Sequence, residues 1–370
     1  MTTLPAEIKA IVITSTNKAE IKTVPPPKLR DDYILVRPVA VALNPTDWKH
    51  IATGGGNVGT RVGCDYAGYV EEVGPKVEKE FRRGDLVCGM IHGSNRNQPQ
   101  EGAFGELCVA KGDLQIKVPD GLKAEEAATL GVGVSTVGQG LYQALGLPLP
   151  GSEEAVKLLS KGEDGERPAI LIYGGSTATG LLGIQYAALS GYRVATTCSP
   201  KNFGLVERLV PGIKAFDYRS GTVVEDIKRW VDETTTVPLT LAWDCHGTLE
   251  SGRTCAAAMN KTREGHYRAL LNVPEEVIRG VNPMVDSDYT FAYTAIGEAF
   301  DKTWHIPASR EDFEFAKGFW ELSRGLLAEG KVKPVVAEVN RGGKGLEGVL
   351  VGLRELREGR VSGGKLVYAL

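Results

Sequence analysis

Residues 169–180, AILIYGGSTATG, set an apolar run against a turn of glycines and hydroxyls that leads into a helical pattern. A strand feeding such a turn delivers backbone N–H groups to a helix N-terminus, where the helix dipole favours an anion. The spacing departs from G-x-G-x-x-G, which asks for glycine at 175, 177 and 180, because Thr177 holds the middle position. Gly174 and Gly175 permit the tight turn, and Gly180 falls where a helix must pack closely on its strand. Ser176, Thr177 and Thr179, with Ala178 among them, bring hydroxyls that can donate to phosphate oxygens. An unrelated glycine-rich turn would read the same way; the alternating strands and helices around it favour a diphosphate cradle.

The next informative position is the end of the following strand. A chain that holds an unphosphorylated ribose commonly carries Asp or Glu about 20 residues on. Here YRVATTC runs into SPKNF, with no carboxylate. Ser199 and Lys201, flanked by Pro200 and Asn202, offer a hydroxyl and a cation suited to a 2′-phosphate, so NADPH is expected over NADH. The alternative is that Lys201 is one solvated lysine among many. Tyr218, in FDYRS, either stacks near the adenosine end or is a half-buried aromatic.

These residues need a scaffold. Residues 10–14, 33–43, 67–74, 84–90 and 105–110 are short apolar or alternating runs parted by glycine, proline and charged turns, which is a β-rich pattern. Residues 122–145 then place small and apolar residues at helical spacing. Segment 146–168, proline-rich, charged and glycine-punctuated, reads as a surface excursion between a helix and the next strand. From 169 to 245, strands and helices alternate, which predicts βαβ units on a parallel sheet. Residues 322–370 read as helix, strand, helix, strand, and composition assigns them to neither module.

The chain has 370 residues, comfortable for two domains, and is of ordinary globular composition. Its 43 basic against 46 acidic residues argue against a dedicated nucleic-acid binder. No apolar run approaches membrane-spanning length, and MTTLPAEIKAIVIT lacks the charged flank and apolar core of a signal peptide, so a cytoplasmic protein is expected. Six scattered cysteines form no C-x-x-C pair, and neither disulfides nor a structural zinc is expected.

Taken together, VALNPTDWK, GCDYAGYVEEVG, GDLVCGM, GAFGELCVA and YGGSTATGLLGIQYAALSGYRV resemble the medium-chain dehydrogenase/reductase superfamily, across essentially the whole chain and in order. GVGVSTVGQGLYQALGLPLP, GGSTATG, TCSPKNF and FDYR are most similar to the trans-acting enoyl reductases of fungal polyketide synthases, the lovastatin-pathway type among them. The resemblance implies an α/β fold with a GroES-like β-rich catalytic domain over residues 1–133 and 325–370. A Rossmann, doubly wound parallel-sheet domain binding NADPH would then cover residues 134–324. It also implies a monomer that works in trans with a polyketide synthase.

The superfamily's zinc enzymes carry a cysteine in the first loop and a Gly-His-Glu segment after it. Here the loop is LNPTDWKH and the segment GCDYAG. Cys64, Asp65 and His50 could be imagined as ligands, but they lack the family's spacing, so no metal is expected. The chemistry then shifts to reduction of an activated C=C: hydride reaches the β-carbon of an α,β-unsaturated thioester, and an enolate must be stabilised and protonated. Lys49, Ser135 and Thr136 are the candidate donors, Lys49 matching a lysine of the trans-acting reductases. It is equally readable as an exposed loop lysine, and bulk water is the other proton source.

The resemblance further implies that Thr46, Asp47, Trp48 and Lys49 lie along the cofactor. Leu271, Asn272, Ser362, Gly363 and Gly364 would close over its nicotinamide side. Substrate would run past Val137, Gly138, Gln139, Gly140, Leu141, Tyr142, Gln143 and Ala144, and past Thr294, Ala295, Ile296, Gly297 and Glu298. YTAIGEAF reads equally as a core segment. Rival readings are a free-standing quinone or enone reductase of the same fold and a non-catalytic NADPH-binding protein.

Overall fold

The computed structural model describes residues 4–53, 57–161 and 166–370. They divide into one compact unit made of Met1–Ser135 with Ala292–Leu370 and another made of Thr136–Phe291.

The first unit is built on a seven-stranded sheet centred on the strand Tyr33–Ala42. This strand pairs antiparallel with Asp65–Val73, Cys108–Lys111 and the C-terminal strand Lys365–Ala369. Eight of its ten residues are buried, as befits a strand covered on both faces. Pro38, which cannot donate to a ladder, sits at a register shift opposite Gly68. A Cβ on Gly68 would lie 2.4 Å from the Arg37 carbonyl oxygen. Ile11, Ile34, Val36, Tyr66, Val70 and Phe104 share one core with Leu346 and Val349 of the C-terminal helix Gly345–Arg357, so the tail belongs to this unit.

The second unit carries six strands, all parallel: Ala169–Tyr173, Arg193–Thr197, Lys214–Phe216, Leu241–Asp244, Gly265–Ala269 and Val285–Tyr289. Numbered one to six along the chain, their order across the sheet is 3-2-1-4-5-6, the doubly wound order of dinucleotide-binding sheets. All five residues of the first strand are buried because helices cover both faces. Ala169, Leu171 and Tyr173 join the core formed with Ile227 and Val231 of the helix Val223–Thr234 and Cys255 of the helix Leu249–Ala258. Across the sheet, the helix Ala178–Leu189 approaches closely enough that a Cβ on Gly183 would stand 2.2 Å from the Trp243 ring.

Two elements differ from the sequence reading. The excursion 146–168 contains a helix, Glu153–Ser160, started by Ser152, whose hydroxyl accepts the Ala155 N–H at 3.2 Å. Ser-Glu-Glu ahead of an apolar pair is a helix start that the neighbouring prolines obscured. Residues 162–165 of that excursion lie outside the described ones. The second difference is the boundary expected at residue 325: residues 292–324 group with the first unit. Trp320, on the helix Arg310–Ala328, donates through Nε1 to the Ser135 hydroxyl at 3.1 Å, and Lys79 pairs with Glu321 at 2.8 Å. Glu298 is held by Arg30 and Lys111. All these partners lie far away in sequence.

Candidate functional site

In the second unit, the C-terminal strand ends bring together the glycine turn, SPKNF, Tyr218 and residues 271–272. Ligands bind at this edge in doubly wound sheets. Gly174 takes φ +84°, and its N–H donates to the Thr197 hydroxyl at 3.1 Å, while the Gly175 N–H donates to the Thr197 carbonyl at 3.0 Å. A Cβ on Gly175 would stand 2.0 Å from Thr196 Oγ1, so the turn can fold against the second strand only as glycine. Thr177 caps the helix. Its hydroxyl donates to the Gly174 carbonyl at 2.8 Å and accepts the Gly180 N–H at 3.0 Å. The one proton of that hydroxyl is thereby committed within the turn, which makes Thr177 the builder of the cradle. The Leu181 N–H bonds the Thr177 carbonyl, leaving the N–H groups of Ala178 and Thr179 ahead of the first helical bond. Ser176, Ala178 and Thr179 are partly exposed.

At the second strand's end, Ser199 opens a short turn over Pro200–Asn202, with Asn202 buried and Lys201 exposed. Lys201 has no ion-pair or hydrogen-bond partner among the described residues. Tyr218 is exposed, its ring 6.5 Å from that of Tyr173. Arg219, absent from the sequence candidates, lies 5.5 Å from the Tyr218 ring and reaches both oxygens of Asp217, at 3.0 and 3.2 Å. That bonding holds the Asp217 carboxyl below its ordinary range. The adjacent cation in FDYRS was the available signal.

At the fourth strand's end, buried Asp244 accepts the N–H groups of His246 and Gly247 at 2.8 and 3.0 Å, and the hydroxyls of Ser251 and Tyr267 at 2.6 and 2.7 Å. This fully bonded carboxylate fixes the loop 245–247. A Cβ on Gly247 would meet Leu271 at 2.8 Å, so Leu271 stands beside that loop, and both it and Asn272 are exposed.

The segment expected along substrate lies largely inside the unit. Val137, Gly138, Gln139, Gly140, Leu141 and Tyr142 are buried in this unit, five of them in a π-helix over Gly138–Ala144. Trp243 packs so tightly on Gly140 that a Cβ there would stand 2.3 Å from its Nε1. The Tyr142 hydroxyl is bonded to Ser190 Oγ at 3.0 Å. Only Gln143 and Ala144 are partly exposed. Thr136, just before, is buried.

In the first unit, the helix Pro45–Thr53 carries the loop candidates. Asp47 is buried; its Oδ2 accepts the Asn44 N–H at 2.7 Å, and apart from the nearby Cys64 thiol its Oδ1 has no partner among the described residues. Burial pushes its carboxyl up to about 7. Trp48 and Lys49 are partly exposed; Lys49 Nζ lies 5.8 Å from the Trp48 ring, and burial pulls its ammonium below the ordinary value. Thr46 Oγ1 is 2.7 Å from the hydroxyl of Tyr293, which is also 3.5 Å from Cys64 Sγ. His92 and His50 pack on the Tyr293 ring, at 4.3 and 5.9 Å between centroids. Lys302 Nζ lies 4.7 Å from the same ring and 2.7 Å from His50 Nε2. Burial lowers Lys302 to about 8; burial and then Lys302 lower His50 to about 3, so the imidazole is neutral and accepts from the ammonium. Neither Tyr293 nor Lys302 was a sequence candidate, although Tyr293 opens the YTAIGEAF segment.

Ser135 is buried, with Trp320 donating to its oxygen, which leaves the hydroxyl proton for another acceptor. Ala295 and Ile296 are buried, Gly297 takes φ +78° against Phe313, and the Thr294 hydroxyl donates to Asp312. Glu298 bonds Arg30 at 2.9 Å, Tyr33 at 2.9 Å and Lys111 at 3.0 Å, a structural clamp. Ser362, Gly363 and Gly364 precede Lys365, whose ammonium is buried on Asp65. Asp65 also accepts the Val132 N–H at 2.7 Å.

A parallel 3-2-1-4-5-6 sheet with a glycine turn at its switch point, in a chain that also carries a β-rich unit, defines a medium-chain dehydrogenase/reductase, a fold that goes with a nicotinamide cofactor. The residues here fit such a group: the turn is walled by strands that admit only glycine, the helix presents uncommitted N–H groups, and Lys201 is an unpaired cation. Residues 30–120 match the alcohol dehydrogenase GroES-like domain family. The chain is 45% identical to trans-enoyl reductase resD of Aspergillus sclerotiorum, over 98% of this chain and 99% of that one. It is 40% identical to trans-enoyl reductase ACTTS2 of Alternaria alternata, over 98% of each. CurK enoyl reductase shares the fold, with a TM-score of 0.73 over 99% of each chain at 15% identity. The chain belongs to the trans-enoyl reductase family. Among the described residues, no helix is long and apolar enough to cross a membrane.

Proposed function

We propose that this protein is an NADPH-dependent enoyl reductase that acts in trans, as a monomer, on an α,β-unsaturated thioester carried by a polyketide synthase. The observation that carries the reading is the strand-end cluster of the second unit, in a chain 45% identical to a trans-enoyl reductase. The glycine turn and the N–H groups of Ala178 and Thr179 hold the diphosphate. Ser199, Lys201 and Tyr218 take the 2′-phosphate end, with Lys201 as its counter-charge and Arg219 offsetting Asp217. When bound, the nicotinamide supplies the hydride for the β-carbon.

The rest falls to the chain. Negative charge gathers on the thioester oxygen as the β-carbon is reduced, and a donor placed there lowers the barrier. Lys49 is a cation whose partial burial strengthens its field, and Ser135 retains a hydroxyl proton, so both suit that oxygen. Side-by-side assays of NADPH oxidation with a short enoyl thioester and with a simple quinone test the reading. Preference for the thioester supports it; equal or better turnover of the quinone favours a free-standing quinone or enone reductase. Tight NADPH binding with no oxidation by either favours a binding protein.

A further inference from the structure

We propose that Tyr293 feeds the proton that completes the reaction, acting through Thr46. This rests on the enoyl reductase reading and names a device inside it. The four groups concerned all lie in the first unit and run from inside to outside. Asp47 and Cys64 are buried, Tyr293 is 6% exposed, and Thr46 is partly exposed. The Tyr293 hydroxyl stands between Thr46 Oγ1 at 2.7 Å and Cys64 Sγ at 3.5 Å, and either contact can run in either direction. The thiol is close enough to the Asp47 carboxyl to favour its ionised form. Apart from that thiol, no group among the described residues bonds the second carboxyl oxygen of Asp47, an uncommon state for a buried polar atom.

Tyr293 is also held more firmly than a core aromatic requires. His92 and Phe300 pack on its ring at 4.3 and 6.1 Å between centroids, and the Lys302 ammonium lies 4.7 Å from the ring centre. A cation over the ring stabilises negative charge that develops on the phenol oxygen as its proton leaves. Burial, and then the neighbouring Cys64 and Asp47, hold the phenol well above its ordinary range, so it relays a proton without resting as phenolate.

The electron pair of the enolate forms a C–H bond at the α-carbon with the proton of Thr46 Oγ. Thr46 takes the Tyr293 proton, Tyr293 takes the Cys64 proton, and Cys64 takes a proton from the Asp47 carboxyl. Asp47 is left as carboxylate and is reprotonated from water between turnovers. Tyr293 acts through Thr46 and is therefore a positioning residue; Thr46 is the donor.

The test uses NADPH and a 2-methylbut-2-enoyl thioester in D2O, because the α-methyl group records the face that receives the deuteron. Wild type should give one α-configuration. Tyr293→Phe should lower kcat about 100-fold, the size of one general-acid contribution. It should give a mixture of α-configurations as water supplies the deuteron, with the NADPH KM within twofold of wild type. Thr46→Val, which leaves the Tyr293 packing in place, should repeat the loss of configuration, and Thr46→Ser should restore it. A single α-configuration in both Tyr293→Phe and Thr46→Val overturns the relay and leaves the enoyl reductase reading standing. Wild type inert toward the thioester overturns both.

Discussion

A Cβ built on Gly180 would stand 2.2 Å from the carbonyl oxygen of Gly174. That carbonyl already takes the hydroxyl and the N–H of Thr177, so it cannot turn aside without breaking the cap. Gly180→Ala should therefore push the helix off the turn. We expect a loss of about 1–3 kcal/mol of stability, the cost of overpacking a filled site, and at least a tenfold weaker NADPH affinity. Urea unfolding and cofactor titration of one preparation check both.

Thr177 makes a second, separable prediction. Its hydroxyl is spent on the helix start, so Thr177→Val should cost about 1 kcal/mol of stability. Thr177→Ser should recover that cost. NADPH affinity should follow the cap: serine like wild type, and valine weakened only as far as the turn loosens.

Lys201 bears on the choice of cofactor. A charge-assisted bond to a 2′-phosphate contributes about 1.5–3 kcal/mol, or roughly 10–100-fold in binding. Lys201→Ala should raise the NADPH KM by that factor and leave the NADH KM within twofold. Equal effects on the two cofactors would mean that Lys201 is only a surface lysine.

Asp47 predicts a pH dependence of stability. Burial raises its folded carboxyl to about 7, above the ordinary range of the unfolded chain. Its contribution is present at pH 4 and lost as pH rises through 7, because the buried charge must then be tolerated. Asp47→Asn should therefore lose less stability than wild type between pH 5 and pH 8, while His50 and His92, kept neutral by burial, add a slope of opposite sign to both proteins below about pH 6.5. Glu101, also raised to about 7 by burial, leaves a residual slope of the same sign as that of Asp47. Melting temperatures at both pH values, for both proteins, check this.

What the sequence disclosed followed from distance along the chain. The second unit was legible because its strands and helices alternate locally and its ligand edge is set by β–α turns. Gly174, Gly175 and Gly180 announce their packing by having no side chain. Glu298 and Trp320 did not announce theirs: their partners, Arg30 and Ser135, lie 268 and 185 residues away. Thr177 read as a phosphate donor because a hydroxyl in a glycine turn has two uses, and only the geometry shows that its proton goes to Gly174. Residues 137–142 read as a channel wall from their small side chains, and the same small residues let the helix press onto Trp243. Tyr293 opens YTAIGEAF and Lys302 follows it, but their chemistry arises from the groups that the fold gathers around them.

The proposed reaction is reduction of a carrier-bound enoyl thioester with NADPH. It is tested most directly by following NADPH oxidation with the thioester on a carrier-protein domain, the same acyl group as a free thioester, and a simple quinone. The carrier-bound substrate should show the highest kcat/KM, with little turnover of the quinone. Quinone turnover equal to or above that of the carrier-bound thioester would contradict the proposed reaction.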